Sequence, residues 1–86
     1  MHLSTARVAP LDGRAEFDSE LMYRLLWRCR STIFRVEHLR VVPGQGYLRI
    51  GAFILATNQI ESDEILRRLI NLTLSSTTEL RQWRLL

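Results

Sequence analysis

The sequence has no lysine, and all twelve of its basic residues are arginine. Arginine suits phosphates and base edges, so the first class to weigh is nucleic-acid binding. The arginines alternate with nine acidic residues along the whole chain and leave a net charge of +3. They form no stripe of the kind a nucleic acid demands, and the missing lysine reads as compositional bias. Cysteine is nearly absent too. Cys29 alone makes no internal disulfide and fits a reducing compartment. No apolar run approaches the roughly 20 residues of a membrane helix. The opening Met1-His2-Leu3-Ser4-Thr5-Ala6-Arg7 lacks the apolar stretch of a signal peptide. The cytoplasm is therefore the expected location, with no membrane contact. His2 and His38 are too far apart to mark a metal site. Gly44-Gln45-Gly46 follows Pro43 in a turn and precedes no helix, so it is not a phosphate loop. No cofactor is expected.

What the chain does have is an ordinary apolar fraction of 47%, which argues against disorder. Its 86 residues fit one domain spanning 1–86, one that buries roughly 60–65% of its unfolded surface. The most informative stretch is Tyr47 to Ala56, which reads as a strand apolar on both faces. Leu48, Ile50, Ala52, Ile54 and Ala56 fall on one side, ready to pack on helices. Tyr47, Arg49, Gly51, Phe53 and Leu55 fall on the other, where a strand facing water carries polar residues.

The rest of the chain arranges itself around that strand. Residues 2–9 alternate as a strand, with Ala6 and Val8 inward, and Pro10 to Glu16 is a loop with Asp-Gly turn chemistry. Asp18 or Ser19 caps a helix over 19–30, whose apolar stripe is Leu21, Met22, Leu25, Leu26 and Cys29. Ile33 to Val42 is a strand whose phase changes near Glu37 or His38, which predicts a bulge there. Pro43 to Gly46 is a hairpin turn. Ser62-Asp63-Glu64 opens a second helix with the buried stripe Ile65, Leu66, Leu69, Ile70 and Thr73. Glu79 to Leu86 alternates as a last strand.

The order β-α-β-β-α-β, with two right-handed crossovers around a hairpin, predicts an α+β ferredoxin-like fold. Its four antiparallel strands carry two helices on one face. The first and third strands are then central, and the charges agree. The third strand has Arg49 alone, against Arg35, Glu37 and Arg40 on the second and Glu79, Arg81 and Arg84 on the fourth. The other sheet face stays open and includes Tyr47, Phe53 and Leu55.

Several chemistries compete for that face. Arg49-Ile50-Gly51-Ala52-Phe53-Ile54-Leu55-Ala56 aligns in part with the third-strand pattern of RNA-recognition motifs. Gly51 and Ala56 occupy its two other aromatic positions, and the first strand adds no stacking ring, so nucleic acid is not the expected partner. Face-to-face dimers of small ferredoxin-like enzymes would line a pocket with Tyr47, Arg49, Phe53 and His38. Arg49 would orient an acidic small ligand there, and His38 would move a proton. A Cys29–His38 nucleophile pair is disfavoured, because Cys29 lies on a buried stripe. Tyr23 and Trp27 on the outer side of the first helix form a second patch. They serve either as a docking surface or as rings covered by Arg24, Arg28, Leu11 or Phe17. The reading that fits best is a small non-enzymatic protein-interaction or assembly module, expected as a homodimer or as part of a larger complex. Tyr47, Arg49, Phe53, Leu55, Tyr23 and Trp27 are its interface residues.

Overall fold

The structure, a computed structural model, describes residues 1–11, 18–30 and 35–86. Its strands are β1 (His2–Pro10), β2 (Val36–Pro43), β3 (Leu48–Ile54) and β4 (Trp83–Leu85). Its helices are α1 (Ser19–Cys29) and α2 (Gln59–Ser76). The sheet order is β2-β3-β1-β4 with every pair antiparallel. This is the ferredoxin-like βαββαβ arrangement expected from the sequence, with β1 and β3 in the centre.

β3 explains the core most directly. Leu48, Ile50, Ala52 and Ile54 alternate inward and are buried. Met22, Leu25 and Leu26 of α1 meet them from above, as do Ile65, Leu66, Leu69 and Ile70 of α2. Both helices present their apolar stripes to the same side of the sheet, which leaves the other side without a layer. The expected bulge is present. The β2–β3 register shifts between Val36 and His38, so Val36 is buried against the core while His38 is exposed.

Four boundaries differ from the sequence reading. β3 runs Leu48–Ile54 rather than Tyr47 to Ala56. Pro10 is not loop but the last residue of β1, buried and paired with Trp83. α2 starts before Ser62. Asn58 has extended backbone, and its side chain accepts from Glu61 N at 2.8 Å, as an N-cap does. The Glu61 carboxylate reaches back to Thr57 N at 3.3 Å. The acid of the first turn is therefore Glu61, while Ser62 is fully buried and tied to β1. β4 is shorter than expected, because Thr78–Leu80 forms a 3-10 turn. Leu80 and Trp83 are both buried, and their three-residue spacing follows a turn rather than the two-residue period of a strand. The expected turn at Asp12-Gly13, the strand start at Ile33 and Phe34, and the cover by Phe17 lie outside the described residues. β2 is described from Val36.

α1 follows the expected cap. The Asp18 carboxylate accepts from Leu21 N at 3.0 Å, and Glu20 lies in the first turn where it suits the dipole. At the other end, Arg30 Nε donates to Val36 O at 2.7 Å and fastens the helix end to the start of β2.

Candidate functional site

Strand pairing sorts the outward residues of the open face into three rows. The first row is His38, Phe53 and Leu3. The second is Arg40, Gly51 and Thr5. The third is Val42, Arg49 and Arg7. Arg84 of β4 pairs with Ala9 and adds a further base beyond them. Leu3, Val42 and Phe53 are 52%, 41% and 44% exposed on this face.

The charges on this face are of one sign. Arg7, Arg40, Arg49 and Arg84 all stand on outward positions of the ladder, and no acidic residue occupies a paired outward position among the described residues. Described acids lie elsewhere: Asp18 and Glu20 at α1, Glu61, Asp63 and Glu64 on α2, and Glu37 unpaired in the bulge. Alternation along the chain therefore becomes segregation in space. This is the feature a linear charge count misses. Its signal is the strand register, because Arg7, Arg40 and Arg49 share a face only once β1, β2 and β3 are aligned.

Gly51 gives the face its shape. It has no side chain between Phe53 and Arg49, and a depression of about 520 Å³ opens over it. His38, Arg40, Arg49, Phe53, Leu3 and Thr5 are among its walls. The rings of His38 and Phe53 meet edge to face, with centroids 6.3 Å apart and planes at 90°.

The expected site residues are only partly gathered here. Arg49, Phe53 and His38 line the depression together. Tyr47 lies beside it, half-buried, with the Arg7 guanidinium 5.5 Å from its ring centroid. Its ring lies against Gly44, where a Cβ would overlap it. Leu55 is exposed just past the end of β3 and takes no part in the depression. Leu3, Thr5, Arg40 and Val42 are wall residues that the sequence reading did not single out. Cys29 packs against the core on the helical side, with Sγ 3.6 Å from Ser76 Oγ, so the sheet separates it from His38. Among the described residues, no group of three His, Cys, Asp or Glu side chains is placed to hold a metal. Of the described helices, none is long and apolar enough to cross a membrane.

The two rings of the second expected patch are clamped. Tyr23 and Trp27 stack at 6.1 Å with planes 8° apart, and Arg30 covers the Trp27 ring at 4.1 Å. The same arginine holds Val36 O, so the cover is part of the joint between α1 and β2.

A polar cluster ties the N-terminal half of β1 to α2. Ser4 Oγ lies 2.6 Å from Ser62 Oγ and donates to Asp63 Oδ1 at 2.6 Å. Gln59 Nε2 donates to Asp63 Oδ1 at 2.9 Å. These bonds, that from Ser4 first, hold the Asp63 carboxyl below the ordinary aspartate value. No protein-family model, curated protein or solved structure matches the chain, so what stands established is a small ferredoxin-like α+β domain with an open four-stranded sheet.

Proposed function

We propose that the chain is a non-enzymatic protein-interaction module whose partner docks on the open sheet face. One observation carries this reading. The face combines exposed apolar side chains with arginines and has no acidic residue on its paired positions. Aromatic and arginine side chains around an apolar centre are the composition of binding hot spots. The charge selects the partner: a protein surface that presents carboxylates beside apolar side chains. A second copy, which the sequence analysis favoured, fits less well. Two such faces pressed together would oppose arginine to arginine, and among the described residues no acid stands on a paired outward position to neutralise them. The Tyr23–Trp27 patch is the secondary surface of this reading, because Arg30 already occupies one side of it.

A small-molecule enzyme with its pocket between subunits is the second reading. The depression walled by His38 and Arg49 is what favours it. It asks for an anionic ligand on Arg49.

The test uses wild type, Phe53→Asp and Arg49→Glu as bait in extracts of the native cells, with thermal melting to confirm that each bait is folded. A stoichiometric protein retained by wild type and lost by both variants is expected. Sedimentation of the isolated protein at tens of micromolar is expected to give a monomer. A dimer dissolved by Phe53→Asp would put a second copy on the face instead, and a tightly retained small molecule would move the reading to the enzyme.

A further inference from the structure

The open face is graded along its strands. Phe53 is paired with Leu3 on one side and with His38 on the other, which makes a mainly apolar ridge across β1, β3 and β2. Further along β3, Arg49 is paired with Arg7, and the two make a basic ridge. Like charges directly opposite in a ladder repel. The Tyr47 ring beside Arg7 holds that guanidinium without neutralising it. Among the described residues none of Arg7, Arg40 and Arg49 has an ion pair, whereas Arg35 has Glu61 at 2.7 Å. Between the ridges runs the row of Thr5 and Gly51, with Arg40 at its β2 end. A strand rises about 3.4 Å per residue, so the two ridges stand roughly 13 Å apart at the backbone, with a trough between them.

The face of a sheet offers side chains alone, because the backbone groups of its central strands are used in the ladder. An element lying flat on it must therefore satisfy its own amides and carbonyls, as a helix does. A helix with its side chains is about 10–12 Å across, close to the distance between the ridges. Its side chains at i, i+3 and i+4 recur every 4.5–6 Å or so along the axis, and neighbouring strands lie about 4.8 Å apart. A helix crossing the strands over Gly51 would thus present one stripe in step with Leu3, Phe53 and His38, and the stripe beside it in step with Arg7 and Arg49.

We propose that the occupant of the open face is an acidic amphipathic helix of a partner protein, laid across β1, β3 and β2 above Gly51. The inference rests on the sheet-face reading and gives the partner of that reading a form. The helix carries an apolar stripe toward Leu3 and Phe53, and carboxylates three or four residues apart toward the basic ridge. One carboxylate lies between Arg7 and Arg49 and relieves the repulsion of that pair; the next reaches Arg40. Apolar anchors supply the affinity and the carboxylates fix the direction, as where other amphipathic helices dock in grooves. The described helices of a second copy fit poorly. The exposed side of α2 mixes Asp63 and Glu64 with Arg67 and Arg68, so its own arginines would come against Arg7 and Arg49. The outer side of α1 mixes Glu20 with Arg24 in the same way.

The test is NMR shift mapping on the full chain, with a blocked helical peptide as the probe: leucine every three or four residues in one stripe, glutamate in the stripe beside it and alanine elsewhere. Binding is expected to move the amides of Arg49, Gly51 and Phe53 and to raise the helicity of the peptide in circular dichroism. A proline at the centre of the peptide is expected to weaken binding about tenfold or more. Moving the glutamates to the side opposite the leucines is expected to weaken it about fivefold or more. That second difference is expected to shrink in the doubly substituted Arg7→Ala, Arg49→Ala chain, with thermal melting to confirm that it folds. Equal binding by the proline peptide would overturn the proposal, as would indifference to the place of the glutamates, shifts confined to α1 or α2, or no binding by any of the peptides. In each of those cases a native partner retained by wild type and lost on Phe53→Asp would leave the sheet-face reading standing, whereas its absence would end both.

Discussion

His38 meets Phe53 edge to face, with ring centroids 6.3 Å apart and planes at 90°. Two rings at right angles do not form the coplanar platform on which successive bases stack, and stacking contributes about 1–3 kcal/mol per base where it occurs. The arginines of the face still attract any polyanion. A short uridine oligonucleotide is therefore expected to bind weakly, to be released as salt rises from about 50 to 200 mM, and to lose less than about fivefold in affinity on Phe53→Ala. Fluorescence anisotropy measures all three. A large loss on Phe53→Ala would mean that bases stack there after all.

Arg30 joins two elements at once, its guanidinium 4.1 Å from the Trp27 ring centroid and its Nε 2.7 Å from Val36 O. Arg30→Ala is expected to lower stability by about 1–2 kcal/mol, the sum of a modest cation–π contact and a charged hydrogen bond. That corresponds to roughly 4–16 °C in Tm for a domain of this size. Arg30→Lys is expected to recover only part, because an ammonium lacks the planar fork that meets the ring and the carbonyl together. A melting curve unchanged by Arg30→Ala would show that the cover is ornamental.

The order of elements, the bulge at Glu37 and the central place of β3 were legible in the sequence, because each rests on local periodicity. Val36 and His38 fall on opposite faces in a way that unbroken alternation forbids. The start of α2 was less legible. Asn58 and Glu61 carry a capping pattern, but Ser62-Asp63-Glu64 imitates one, and only the burial of Ser62 against Ser4 separates them. The single sign of charge on the open face was not legible at all. Arg7, Arg40 and Arg49 come from three strands, and their meeting is a fact of register rather than of sequence distance.

The cluster at Ser4 makes stability depend on pH. Asp63 is held below its ordinary value of 3.8 chiefly by the Ser4 hydroxyl and then by Gln59. A carboxylate with a depressed folded pKa stabilises fully above its unfolded pKa, and that stabilisation is lost as pH falls through the folded value. The stability gap between wild type and Asp63→Asn is therefore expected to be flat from neutral pH down to about 3.8 and to close below it. Urea titrations at a series of pH values measure the gap. Ser4→Ala is expected to cost about 1–2 kcal/mol at neutral pH, because it also removes the buried partner of Ser62. A gap that widens in acid would reverse the assignment of Asp63.

Gly51 separates what stabilises the sheet from what shapes its face. It stands in the middle of a central strand, where glycine is weaker than a β-branched residue by about 0.5–1 kcal/mol. Its backbone does not need glycine, since the positive φ among the described glycines belongs to Gly46. A Cβ at Gly51 would meet only Thr5 Cγ2, at an ordinary 3.9 Å. Gly51→Val is therefore expected to raise Tm by about 2–6 °C. The same side chain would stand in the depression between Arg49 and Phe53, so retention of the sheet-face partner is expected to fall about tenfold or more, as when an apolar contact surface is blocked by an added group. The two effects have opposite signs and are read by separate measurements, melting and partner retention. Higher stability with undiminished retention would mean that the partner does not enter the depression. Lower stability would mean that β3 packs more tightly at Gly51 than the 3.9 Å contact allows.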